Sequence, residues 1–399
     1  KISFGKDGVF MVVKDVFPAD WDIDILGNCA RIETGGRNTE DKNDDGRYPF
    51  FVRSQKVEHI NTYHYDCEAI LTAGDGVGTG KVFHYYKGKF DVHQRVYVLT
   101  GFNRVIGGYL YYYFKANFLK EVEKYTAKSS VDSVRRAMIE KMQIPIPGLK
   151  EQSAIVEALM DTDCLICSLQ KLADKKKAVR QGVMQELLTG KRRLPGYAGN
   201  WIKARLGGHC EIFDGTHQTP HYVESGIPFY SVENVTSNNF TNVKYISEEE
   251  HKKITASYRI EKGDILMTRI GSIGACKYVD WDVNASFYVS LALIKCVGNI
   301  DAQFLCYYTQ STGFKKEIEA HSLVTAIPRK INLGPISEIL VTVPESIEEQ
   351  KAISQILFDM DREIGQIEKK LAKYQQIRQG MTKELLTGHI RLEAGGTQG

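Results

Sequence analysis

The chain repeats itself, and the repeat is strictest where it is helical. Glu186-Leu187-Leu188-Thr189-Gly190 returns as Glu384-Leu385-Leu386-Thr387-Gly388, and Glu151-Gln152 returns as Glu349-Gln350, at one offset of 198 (151 to 349, 186 to 384). Trp21 and Gly27 return as Trp201 and Gly207 at a smaller offset of 180 (21 to 201, 27 to 207). Insertions therefore fall in the blocks between these anchors, while both helical stretches keep their length. A repeat this long implies two equivalent modules joined by two equivalent connectors.

The connectors are residues 151–188 and 349–386. In the second, Ile353, Leu357, Met360, Ile364, Ile367, Leu371, Tyr374, Met381 and Leu385 alternate at spacings of four and three, with Arg378 breaking the seam. That is a heptad a/d pattern. The first copy keeps the register in Ile155, Leu159, Thr162, Ile166, Leu169, Ala173, Lys176, Arg180, Val183 and Leu187, with a weaker middle. Gly190 and Gly388 stand where a left-handed residue ends a helix, and Pro145, Pro147 and Pro344 precede the starts. At 1.5 Å per residue each helix is about 60 Å long. A lone helix with such a stripe would leave it wet, so the two are expected to pack together as an antiparallel coiled coil.

Residues 18–147 and 197–344 differ in texture. Ala69-Ile70-Leu71-Thr72, Arg95-Val96-Tyr97-Val98-Leu99, Asp264-Ile265-Leu266-Met267-Thr268 and Val289-Ser290-Leu291-Ala292-Leu293-Ile294 read as strands. Each block closes on an aromatic-rich helix, 107–125 and 302–319, whose rings read as core rather than as base-stacking platforms. The fold class is therefore mixed α/β (α+β): two globular blocks separated by two long antiparallel helices, with pseudo-two-fold internal repetition. A chain of 399 residues has room for more than one core. The expected divisions are an N-terminal arm 1–17, a first globule 18–147, a central helical region 148–196, a second globule 197–344, a C-terminal helical region 345–390 and a flexible tail 391–399.

Catalytic chemistry is hard to find. Gly74-Asp75-Gly76-Val77-Gly78-Thr79-Gly80-Lys81 suggests a phosphate loop, but Asp75 stands where that loop needs glycine and Val82 where it needs Ser or Thr. A glycine turn between strands fits better, and such a turn could approach a DNA backbone closely. No nucleophile elbow, zinc-helix motif, calcium loop or dinucleotide fingerprint is present. His217 and His221 are four apart, but Pro220 between them argues against a helix that would converge them on a metal. Cys164-Leu165-Ile166-Cys167 has no second pair, so the eight cysteines are expected to be reduced, buried or half-buried thiols. No apolar run approaches the ~20 residues of a membrane span and no signal peptide is visible, which points to the cytoplasm. Lys1 in place of Met leaves the true start open. The net charge of +3 singles out no partner.

Binding chemistry is concentrated in polar loops. In the first block these hold Thr34, Gly36, Arg37 and Asn38; then Arg53, Gln55 and Lys56; then Gln94 and Arg95; and late in the block Lys128, Arg135 and Arg136. In the second they hold Thr216, His217, Gln218 and Thr219; then Asn234; then Arg269 and Ser272; and late in the block Arg329 and Lys330. Arg, Gln, Asn and Ser/Thr are the residues that hold phosphates and read base edges. Any one of them is as readily a solvated loop residue.

The order of these pieces resembles the specificity (S) subunits of type I restriction-modification systems. The resemblance runs from about residue 18 to 390. It is carried by Ile144-Pro145-Ile146-Pro147 before Glu151-Gln152, Val341-Thr342-Val343-Pro344 before Glu349-Gln350, the two Leu-Leu-Thr-Gly ends, and Trp201 to Leu206-Gly207 with Gly226-Ile227-Pro228-Phe229. The first copy keeps Trp21 to Leu26-Gly27 but has Arg47-Tyr48-Pro49-Phe50 in the latter place. The resemblance implies two target-recognition domains, each reading half of a split sequence in double-stranded DNA, with the helices as spacer and as docking site for two methyltransferase (M) subunits. Restriction (R) subunits would complete the complex. It also implies no cofactor in this chain: S-adenosylmethionine, ATP and Mg²⁺ belong to the partners. Two unlike globules imply an asymmetric target, and opposed helices place them at opposite ends of the coil. The alternatives are a specificity module serving a single-chain restriction-methyltransferase, and a coiled-coil adaptor whose globules bind protein or glycan. A third, a nucleotide-binding enzyme built on loop 74–81, fits the residues least.

Overall fold

The computed structural model describes residues 17–125, 133–323 and 325–392. Lys128, most of the N-terminal arm and most of the tail lie outside these residues. The chain divides into two compact units: unit 1 takes Lys1–Gln170 with Lys369–Gly399, and unit 2 takes Lys171–Glu368. Each unit therefore owns one globule and a half of each long helix.

In unit 1, β1 (Asp22–Ile25) pairs antiparallel with β8 (Gln143–Ile146). The main sheet comprises β2 (Arg31–Thr34), β3 (Tyr48–Phe51), β4 (Glu58–Ile60), β5 (Tyr65–Ala73), β6 (Phe83–Val92) and β7 (Val96–Thr100), in the order β2-β7-β5-β6-β3-β4. Alternation along its strands supplies two apolar faces. Ile70 and Leu99 face the aromatic helix Gly107–Glu123, where Phe114 and Phe118 meet Phe83 edge-on at centroid distances of 5.5 and 6.2 Å. Ala69, Leu71, Val96 and Val98 face the other way, onto Phe51, Phe90 and Val92. The aromatic helix is core, as its composition suggested.

In unit 2, β9 (Trp201–Arg205) pairs with β18 (Leu340–Pro344) as β1 pairs with β8. Here the sheet is in two parts, β10-β17-β14-β15 and β11-β13-β12-β16. The strands are β10 (Cys210–Asp214), β11 (Tyr222–Val223), β12 (Ile227–Tyr230), β13 (Lys244–Ile246), β14 (Ile265–Thr268), β15 (Cys276–Tyr278), β16 (Ser286–Phe287) and β17 (Leu291–Cys296). Where unit 1 has the single ten-residue β6, unit 2 has β15 and β16 separated by 279–285. That stretch carries Asp280, Asp282 and Asn284, residues depleted in strands. The expected helix over 302–319 is likewise interrupted, into Ala302–Tyr308 and Thr312–His321. Thr309 donates its hydroxyl to the Cys306 carbonyl at 2.7 Å, and Ser311 caps the second piece by accepting the Phe314 N–H at 3.2 Å. Such side chains compete with a continuous helix ladder.

The long helices are Leu149–Leu187 and Ile347–Leu386, and both end on glycines of positive φ, Gly190 (68°) and Gly388 (72°). In unit 1, Ile155 and Leu159 share a core with Leu385 and Leu386. In unit 2, Leu187 shares one with Ile353 and Leu357. Early positions of one helix meet late positions of the other, so the pair is antiparallel in each unit. Leu169, Ile364 and Leu371 are buried along the seam, while Ile166, Val183 and Ile367 are half-buried.

The seam's charged positions are its locks. Asp163 accepts Tyr112 Oη at 3.0 Å and Arg378 Nε at 2.9 Å. One repeat along, Asp361 accepts Tyr307 Oη at 3.0 Å and Arg180 Nε at 2.9 Å. The outlier Arg378 and the weak middle of the first copy are thus two halves of one device, with Lys176 paired to Glu363 at 2.7 Å beside it. These pairs are partly exposed, so a double-mutant cycle on Arg180 and Asp361 is expected to give a coupling of about 1 kcal/mol. A coupling of zero by chemical denaturation would remove the pair from the register argument.

The cysteines depart from expectation at one place. Cys164 and Cys167 are exposed, because seam positions Thr162 and Ile166 turn inward and leave these two off the stripe; the others are buried or half-buried, and all are free thiols. Among the described residues no group of three or more His, Cys, Asp or Glu could hold a metal, and no helix is long and apolar enough to cross a membrane.

Candidate nucleic-acid interface

Loops that are distant in sequence meet at one edge of unit 1. Residues Arg37 and His93 form a parallel bridge, which brings the continuation of β2 back to the end of β6 although β7 and β5 lie between them in the sheet. The sheet must curl for this to happen. The contact is close: a Cβ on Gly35 would lie 2.2 Å from the Val92 carbonyl oxygen, so only glycine fits. A second bridge joins Asp75 to Ser133, with Val134 N–H donating to the Gly74 carbonyl at 2.7 Å and Gly74 N–H donating to that of Arg95 at 2.9 Å. Segments 34–38, 74–78, 93–95 and 133–136 thus share one edge, joined by 53–56 through the side chain of Arg53.

The charges there are held rather than loose. Asp75, at the head of the glycine turn, accepts Arg53 Nη1 at 2.9 Å and Arg95 Nη1 at 2.6 Å. Burial works against its ionisation, but those two hydrogen bonds outweigh it and hold the carboxyl below the usual range. Arg37 spans the buried Asp91 (Nε to Oδ2, 3.0 Å) and Thr62 (Nη2 to Oγ1, 3.0 Å). Gln94 donates to the Asn38 side chain at 2.6 Å, and both remain exposed. His93 props the turn, its Nδ1 accepting the Arg95 N–H at 3.1 Å. Burial, then Arg53 and Arg95, push that imidazole below its ordinary pKa. Gln55 reaches the Phe83 carbonyl at 3.5 Å, Lys56 pairs with Glu58, and Arg136 pairs with Glu140. Thr34, Gly36 and Arg135 are exposed on the same rim.

Unit 2 builds the same frame from other residues. Thr216 bridges Tyr288 as Arg37 bridges His93, and Ile270 bridges Lys330 as Asp75 bridges Ser133. Gly215 repeats the close approach, its Cβ position lying 2.2 Å from the Phe287 carbonyl oxygen. Arg269 is only 7% exposed. It donates to the Val289 carbonyl (2.8 Å), the Ile331 carbonyl (3.3 Å) and Asp214 (3.2 Å), which ties three loops together and leaves little of it facing solvent. Asn234, also 7% exposed, accepts the Ser231 N–H and donates to the Asn239 and Asn242 carbonyls. Both act in the frame. The outward residues are His217, held by Asp214 at 2.8 Å, with Gln218, Thr219, Ser272 and Lys330. Arg329 leans on Glu319 and Ser322.

Three participants are not legible in the sequence. Asp75 looked like one residue of a turn; its role as the shared partner of two arginines depends on a fold that brings 53 and 95 to it. Asp91 and Thr62, which anchor Arg37, gave no signal at all.

A family model described as the type I restriction modification DNA specificity domain matches residues 18–177 and again 199–378. The specificity subunit of type I restriction enzyme EcoDI from Escherichia coli is 23% identical over 417 residues, spanning 94% of this chain and 89% of that protein. That of type I restriction enzyme MjaVIII from Methanocaldococcus jannaschii is 26% identical, spanning 94% of each. The crystal structure of the type I restriction-modification S subunit from M. genitalium shares the fold, with a TM-score of 0.69 at 18% identity over 94% of this chain and 98% of that one.

Proposed function

The chain belongs to the type I restriction modification DNA specificity family, and from that premise we propose that it is the DNA-reading subunit of a cytoplasmic restriction-modification complex. Unit 1 and unit 2 each read one half of an asymmetric, bipartite duplex target. The long helices serve as spacer and as the docking site for two M subunits, which use S-adenosylmethionine to methylate adenine; R subunits bring ATP- and Mg²⁺-dependent cleavage. This chain supplies recognition and no catalysis.

One observation carries the reading. The two units share a backbone frame, down to the Gly35 and Gly215 approaches, yet display different polar side chains on it. A repeated frame with unlike displays is what two readers of unlike half-sites require. Mapping methylated adenines in cells with and without the chain tests it: a two-part motif should vanish with the chain. Persistence of every methylated site would refute the assignment.

The spacer role makes a further expectation. Inserting seven residues at matching points of both helices adds about 10 Å of coil, or about three base pairs at 3.4 Å each. The unread gap in the methylated motif should lengthen accordingly, with both half-sites unchanged. An unaltered gap would show that the helices do not set the spacing.

A further inference from the structure

The edge of unit 1 carries a feature that unit 2 lacks. Arg53 and Arg95 each take one oxygen of Asp75, Oδ1 and Oδ2, and each spends only Nη1 on the carboxylate. The side chains remain 43% and 60% exposed against 22% for Asp75. Among the described residues, no protein group accepts from the Nε and Nη2 edge of either guanidinium. A hollow of about 390 Å³ beside Arg53 is lined by that residue, Ser54, Asp75 and the glycine turn Gly76-Val77-Gly78. Gly76 and Gly78 contribute no side chains to fill it.

The repeat supplies an internal control. Phe50 pairs with Asp91 in the register in which Phe229 pairs with Ser286, so Arg53 corresponds to Val232. The Asp75 bridge corresponds to that of Ile270. Gly74 N–H bonds the Arg95 carbonyl as Arg269 N–H bonds that of Ser290. Arg, Asp and Arg in unit 1 are therefore Val, Ile and Ser in unit 2. A cluster needed only to build the frame would be expected in both.

Resting on the DNA-reading function proposed above, we propose that the Asp75-clamped pair Arg53 and Arg95 reads guanine in the half-site of unit 1. The free edge of a guanidinium matches the O6 and N7 acceptors of guanine in the major groove with two parallel hydrogen bonds. A phosphate oxygen pair accepts the same fork. Charge favours the base. The carboxylate cancels one of the two positive charges, which weakens attraction to a phosphate more than to a neutral base edge. It also fixes both forks before DNA arrives, so little side-chain freedom is lost on binding either acceptor. Unit 2, with Val232, Ile270 and Ser290 at these places, reads its half without an arginine there. Asp75 is a positioning residue, acting through the arginines it orients.

The test is methylated-adenine mapping in cells carrying the whole complex with Arg53→Ala, Arg95→Ala or Asp75→Asn, with binding of the purified complex to duplexes altered one base at a time. The expected result is loss of a guanine requirement in one half only. Discrimination at that position should fall roughly ten- to hundred-fold, with the other half unchanged as proof that the complex is folded. Asp75→Asn should blur the same position. Uniform weakening on every duplex, with the motif intact, would identify phosphate contacts and overturn the proposal. So would a wild-type motif lacking guanine in the half that responds to exchange of residues 18–147. Absence of any chain-dependent motif would instead sink the DNA-reading function itself, and this proposal with it.

Discussion

Replacing Gln350 with leucine is expected to lower the stability of unit 2 by about 3–5 kcal/mol. The residue is fully buried, and its side chain serves three backbone groups. Its Oε1 accepts the Asp301 N–H at 2.8 Å, and its Nε2 donates to the carbonyls of Asn299 at 3.0 Å and Pro344 at 2.8 Å. Leucine has similar bulk but leaves all three groups unpaired in the dry interior, at about 1–3 kcal/mol each. Gln152 does the same in unit 1 for the Ile106 N–H and the carbonyls of Arg104 and Pro147. Denaturant unfolding should show the loss, and limited proteolysis should place the new cuts in the unit whose glutamine was changed. A loss below about 1 kcal/mol would mean that water replaces the side chain there.

The second large effect concerns recognition. Exchanging residues 18–147 for the matching block of another family member should change one half of the methylated motif completely and leave the other untouched. Every loop gathered at the edge of unit 1 lies between residues 34 and 136, and the frame that presents them is closed by bridges inside that block. A change in both halves would contradict independent reading by the two units.

The residues explain what could and could not be foreseen. The helical seam was legible because period and offset are local properties of the chain. The aromatic helix in unit 1 is legible for the same reason, whereas its counterpart in unit 2, expected as one helix over 302–319, is broken between Tyr308 and Thr312: Thr309 and Ser311 turn their hydroxyls onto the backbone, which composition does not reveal. By residue type Arg269 and Asn234 read as outward polar residues, yet burial assigns them to the frame. Residue type could not separate them from Arg53 or Gln218. The difference depends on which carbonyls come within reach, and those of Val289 and Ile331 lie 20 and 62 positions away from Arg269. Arg378 was the informative misfit. A charge at a seam position predicts a partner, and the offset of 198 places Asp361 beside Arg180 once Asp163 is seen beside Arg378.

Those crossed pairs tie the two copies to each other. Each copy contributes an aspartate to one lock and an arginine to the other, and each lock also takes a tyrosine from a globule, Tyr112 or Tyr307. A change at either position of a lock therefore strips a charge on the opposite helix of its partner. A globule grafted onto these helices keeps its lock whole only when it brings a hydroxyl to the carboxylate waiting there.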